Sequence, residues 1–109
     1  MQGHTGYILI LSTCPDADVA GAIAQALLAG KLVACVNIVT GVASHFRWQG
    51  AIDQADEHLL IIKTTRDRYP EVETKIRSMH PYELPEIIAV PIAQGLVEYL
   101  AWIDQETKR

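Results

Sequence analysis

The residues with the greatest capacity for chemistry crowd into one stretch, Met79-His80-Pro81-Tyr82-Glu83-Leu84-Pro85-Glu86. An imidazole, a phenol and two flanking carboxylates lie there, and two prolines stiffen the path between them. Such a segment can wall a pocket, or it can be a rigid connector whose polar groups satisfy loop backbone; pattern alone leans to the connector. Cys14 and Cys35 have neither CxxC spacing nor a histidine beside them, which disfavours a closed zinc site. Cys35, inside Val33-Ala34-Cys35-Val36, reads as a small core hydrophobe. Cys14 precedes a helix whose positive end would lower its pKa, yet a plain loop thiol is the simpler reading. Lys63 follows four apolar residues, so it must reach water or pair with a carboxylate such as Glu57 or Glu86. His45 reads as a surface residue of a hairpin, His58 as a strand-edge residue, and His4 as part of a mobile tail over residues 1–6. Trp102 reads as packing, with an indole N–H able to orient a ligand near a cleft. No nucleophile elbow, P-loop, dinucleotide glycine pattern or metalloprotease helix is present, so motifs give enzyme chemistry no support.

The elements that must position these groups follow from periodicity. Tyr7 to Thr13 is apolar on both alternating faces, as in a strand covered on both sides. Asp16 is placed to cap a helix whose inner face is Val19, Ala20, Ile23, Ala24, Leu27 and Leu28, with Gly30 at its end. Leu32 to Val39 is a β-branched run that continues to Trp48, with a bulge expected at Gly41. Gln49-Gly50 turns the chain back through Ala51 to Thr64, giving a hairpin well beyond the usual strand length of about 5 to 6 residues. Asp67 is placed to cap a second helix, with Pro70 in its first turn, Tyr69, Val72, Ile76 and Met79 on one face, and His80-Pro81 as its stop. Glu86 to Val90 reads as a short buried strand, and a last helix after Gly95 would turn Leu96, Tyr99, Leu100 and Ile103 inward. The order β-α-β-β-α-β plus a C-terminal helix implies one α+β, ferredoxin-like domain over 1–109, with helices on one face and strands one and three central.

Composition narrows the function classes. The chain has 109 residues, 50% of them hydrophobic and 20% charged, as in ordinary soluble globular domains. A net charge of −4 without a basic patch argues against nucleic acid as a partner. No apolar run approaches the roughly 20 residues that span a membrane. The start lacks the basic-then-apolar order of a signal peptide, and two cysteines are too few for a disulfide scaffold; both point to the cytoplasm. Phe46 and Trp48 lie on hairpin arms that overhang a domain this small, and pairing of arms between copies would cover them.

Five stretches carry a resemblance: Leu32-Val33-Ala34-Cys35-Val36-Asn37-Ile38, Ser44 to Gly50, Glu57 with Ile62-Lys63-Thr64, His80 to Glu86, and Tyr99-Leu100-Ala101-Trp102-Ile103. In this order, from about Tyr7 to the C-terminus, the chain resembles the CutA family of divalent-cation tolerance proteins. The resemblance implies a homotrimer with long hairpins extended between subunits, no catalytic activity, no organic cofactor, and tolerance to copper and other heavy metals. It implies binding of Cu2+ or another divalent cation, with His80 the main ligand, Cys14 a second, and Glu86 or water completing the shell. Copper-binding relatives can carry a cysteine and a second histidine at places that here look like Ser12 and Met79, and Met79 is better read as packing. The alternative is a signalling or small-molecule sensor akin to the nitrogen-regulatory trimers, its inter-subunit cleft lined by Ser44, Trp48, Glu57, Lys63, Tyr82, Glu86 and Trp102. A thiol reaction at Cys14 is the only foothold for an enzyme.

Overall fold

Alternation along the first strand sets the layers. In β1 (Tyr7–Cys14) every second side chain is buried. Ile8, Ile10 and Cys14 thereby join Ile23 and Leu27 of α1 (Ala17–Ala29), Leu60 and Ile62 of β3 (Ala51–Thr65), and Val72 and Ile76 of α2 (Tyr69–Met79) in one apolar cluster. With β2 (Cys35–Trp48) and β4 (Ile88–Pro91) the strand order is β2-β3-β1-β4, all neighbours antiparallel. This is the expected ferredoxin-like sheet with β1 and β3 central. The computed structural model describes residues 5–108, so His4 lies outside the described residues. Thr5 and Gly6, expected in a tail, are tied to the sheet: the Thr5 hydroxyl donates to the Ile92 carbonyl at 2.7 Å, and Arg66 N–H donates to the Gly6 carbonyl at 2.9 Å.

Local chemistry accounts for most boundaries. Asp16 caps α1, its Oδ1 accepting from Val19 N–H at 2.8 Å. Leu28, assigned to the inner face, is exposed, because Ala20, Ile23, Ala24 and Leu27 already complete the buried stripe. Asp67 does not cap α2; it lies within a 3-10 turn, Arg66–Arg68, that runs into the helix and moves the start beyond its reach. Pro70 occupies the first turn, as its missing N–H permits. The hairpin turns at Gln49 (φ 51°) and Gly50 (φ 83°), the two positive φ values of a twist-matched two-residue turn. The register slips between Val39 and Val42, where Gly41 (φ 75°) supplies the bulge.

Three expectations need correction. Leu32 to Ala34 precede β2 instead of opening it, with the Leu32 carbonyl taken by the Thr64 hydroxyl at 2.7 Å. The last strand begins at Ile88, later than Glu86, and is exposed in the single chain because it forms the sheet's outer edge. The helices do not share one face. α3 (Val97–Glu106) packs on the side opposite α1 and α2, where the Tyr7 hydroxyl donates to the Asp104 carboxylate and Tyr99 comes near Cys35. Of its expected inner residues only Ile103 is buried; Leu100 is half-buried, while Leu96 and Tyr99 are exposed.

Arg68 anchors that third helix. Its buried guanidinium donates from Nε and Nη2 to the Thr107 carbonyl at 3.1 and 2.9 Å, and from Nη1 to Glu71 at 2.8 Å. Arg68→Lys keeps the charge but loses the planar fork, so it is expected to lower stability by about 1–3 kcal/mol. Urea unfolding measures this; an unchanged midpoint would show that α3 is held by other contacts.

Candidate functional site

The motif-rich segment 80–86 folds over the open end of β1. Pairing with β4 ends at Leu11, which leaves the Thr13 carbonyl free. His80 fills that place: its N–H donates to the Ile76 carbonyl at the end of α2, and its Nε2 lies 2.8 Å from the Thr13 carbonyl. A carbonyl only accepts, so Nε2 carries the proton, and Nδ1 accepts from Tyr82 N–H at 3.2 Å. The Tyr82 ring leans on the imidazole at 4.7 Å, and its hydroxyl donates to Glu57 Oε2 at 2.7 Å. Glu57, on β3, is only 6% exposed. Burial, then the bond to Glu57, push the Tyr82 hydroxyl up to about 12. Burial, then the charges of Glu57 and Asp16, push the Cys14 thiol up to about 11. This reverses the expectation that a helix N-terminus would lower it.

These residues do not fit the expected metal set. Both His80 nitrogens are engaged within the fold, so a cation on either would have to break a hydrogen bond. Cys14 is fully buried on the helix-facing side, and Glu86 is exposed in the chain leading to β4. Among the described residues, no three of His, Cys, Asp or Glu converge as a cation cage. Met79 packs against the core, as expected.

The cleft residues divide similarly. Glu57 and Tyr82 meet; the others lie apart within one chain. Ser44 and Trp48 are on the outer hairpin, opposite Ala55 and Ala51. Lys63 is six positions along β3 from Glu57, about 20 Å away. It pairs with neither Glu57 nor Glu86. Its ammonium donates to Asn37 Oδ1 and lies 3.7 Å from Cys35 Sγ, since Cys35 is its direct partner on β2. Cys35 is therefore on the α3 face, half-buried, and outside the core cluster. Trp102 stacks obliquely on Tyr99 at 5.5 Å on exposed α3. His45 is exposed on the arm. Two groups escaped sequence reasoning. The Ser12 hydroxyl and His58 Nδ1 are buried without a hydrogen-bond partner. His58 is on a central strand, directly opposite Cys14. Strand register was the only signal that could have paired them.

Glu57 and its neighbours set an alkaline limit. Cys14 and Tyr82 titrate higher folded than unfolded, so their contribution is complete below about pH 9 and lost as pH rises towards about 11 to 12. Tyr82→Phe is expected to cost about 1–3 kcal/mol at neutral pH, because the buried carboxylate loses its donor, and to flatten that alkaline decline. Urea midpoints across this range test both; an identical decline in Cys14→Ser and Tyr82→Phe would remove these groups as its cause.

Comparison with known proteins gives this geometry a lineage. Residues 8–106 match the model of the CutA1 divalent ion tolerance protein family. The chain is 46% identical over 99 residues to the divalent-cation tolerance protein CutA of Thermus thermophilus, covering 91% of this chain and 96% of that protein. It is 42% identical to human Protein CutA over 88% of its own length, but spans only 54% of the human protein. The crystal structure of CutA from Xylella fastidiosa superposes with a TM-score of 0.93 at 42% identity, covering 95% of this chain and all of that one. A match across nearly the whole chain, in sequence and in fold, shows that the protein belongs to the CutA1 divalent ion tolerance family.

Proposed function

We propose that this chain acts in divalent-cation tolerance as a non-catalytic homotrimer that binds divalent cations, copper among them, in the cytoplasm. The family match over residues 8–106 carries this reading. The shape supports self-association. One axis reaches 44 Å and the radius of gyration is 14.5 Å, against about 13 Å for 100 compact residues. The surface, 6776 Å², exceeds the roughly 6,000 Å² of a monomer this size. The excess is apolar along the arm, at Ile38, Val39, Phe46, Trp48 and Ile52, and along the opposite edge, at Ile88 and Val90. Both sheet edges are open as well, and a closed ring of copies covers such edges where a monomer cannot. A non-catalytic role agrees with a thiol that is buried and protonated at neutral pH, which is a poor nucleophile. Two free thiols on opposite faces of the sheet suit a reducing compartment.

Native mass spectrometry of protein taken gently from cells is expected to show three chains with retained divalent metal. Trp48→Ala, which truncates an arm aromatic, is expected to give smaller or aggregated species on dilution, since losing a buried ring costs about 3–5 kcal/mol per site. A soluble wild-type monomer of 12.0 kDa would overturn the assembly. A trimer that never retains metal would overturn cation binding while leaving the assembly intact.

A further inference from the structure

The cation-binding reading leaves a gap, because the motif segment is consumed by its own hydrogen bonds. The face of the sheet beneath α1 and α2 offers a different donor set. Cys14 and His58 are direct partners in the β1–β3 ladder, so their Cβ atoms are about 4.5–5.5 Å apart on the same side of the sheet. Ser12 precedes Cys14 by two residues and shares that side. Cys14 and Ser12 are both 0% exposed. Among the described residues, the buried side-chain nitrogen and oxygen left without a partner are His58 Nδ1 and Ser12 Oγ, which belong to the ladder partner of Cys14 and to the residue two before it. Native interiors seldom leave such atoms unpaired, and a bound ion or a buried water is among the few things that satisfy them.

We propose that Cys14 Sγ, His58 Nδ1 and Ser12 Oγ form a site for one thiophilic metal cation on the helix-facing side of β1 and β3. The proposal deepens the cation-binding reading and rests on it. Sulfur with imidazole nitrogen suits filled-shell ions of the zinc and cadmium type, with the hydroxyl and a water completing four positions. Formation of the metal–sulfur bond releases the thiol proton to solvent, with no change of oxidation state. His58 is half-buried, although its Nδ1 is shielded from solvent. His80 is not a ligand.

The test is titration of the reduced, tag-free full chain with cadmium, followed by the ultraviolet thiolate-to-metal absorption and by proton release. One cadmium and one proton per chain are expected for the wild type and for Cys35→Ser. Cys14→Ser is expected to abolish the absorption, His58→Gln to weaken binding about ten-fold or more, and Ser12→Ala to weaken it less. Circular dichroism checks that each variant is folded. Should His58→Gln not fold, cadmium protection of Cys14 from alkylation in the wild type, read by peptide mass, supplies the same answer. An absorption retained in Cys14→Ser, affinity unchanged in folded His58→Gln, or unprotected Cys14 would overturn the site while cation binding stands. No cadmium uptake by the wild type would overturn the site, leaving a bridging water to satisfy Ser12 and His58, whereas only a native protein that retains no divalent metal overturns the wider reading.

Discussion

Glu57 is a carboxylate that the sheet buries, and a buried charge must be hydrogen-bonded or it costs several kcal/mol. It accepts from the Tyr82 hydroxyl at 2.7 Å, so the chain after α2 has to deliver a phenol across the end of β1. Delivery in turn depends on His80, which ends the helix with its backbone and clips the Thr13 carbonyl with its side chain. The prolines at 81 and 85 remove alternatives to that path. Carboxylate, phenol, imidazole and strand end thus form one mechanical unit. It fixes where the segment leading to β4 begins, and hence that β4 pairs with β1 only from Leu11 onward.

At its other end the molecule follows a different constraint. The β2–β3 hairpin carries 14 and 15 residues in its arms, more than the two helices can roof. Gly41 bends the β2 arm, and the tip closes through Gln49 and Gly50, both at positive φ, a conformation that only the glycine adopts without cost. What results is a long, twisted ribbon with Phe46 and Trp48 half-exposed. A two-stranded ribbon is marginal by itself. The chain spends its apolar residues here on surface that one copy cannot cover, while the core under α1 and α2 is complete without them. The division separates the residues that fold the chain from apolar surface that the chain leaves uncovered.

The regular parts of this fold were legible in the sequence, and the reasons are local. Alternation in β1, the Asp16 cap, the bulge at Gly41 and the turn at Gln49-Gly50 each rest on neighbouring residues, and each is found. The errors come from tertiary choices. Asp67 has the right side chain for a cap, but the inward turn of Arg68 to reach Thr107 carries it into a 3-10 turn. α3 is amphipathic, yet nothing local states which face of the sheet it covers; Arg68 and Tyr7 decide that through bonds to residues some 40 and 97 positions away. The site suffered most. His80 and Tyr82 looked like free functional groups because sequence shows a side chain's chemistry without showing what it already bonds to.

The same limitation works in reverse at the other side of β1. His58 read as an unremarkable strand residue, since its chemical partner is 44 positions earlier and only register brings the two together. Register is also what makes the juxtaposition robust. In a side-chain period of two, a slip by one residue would turn Cys14, Ser12 and His58 out of the core together with Ile8, Ile10, Leu60 and Ile62. The apolar core therefore holds these polar atoms in place without contributing a hydrogen bond to them. The two faces at this end of β1 are in this way opposites: the Thr13 carbonyl is taken by His80, whereas the alternate face, a single residue out of phase, holds the Ser12 hydroxyl and His58 Nδ1 without a hydrogen-bond partner.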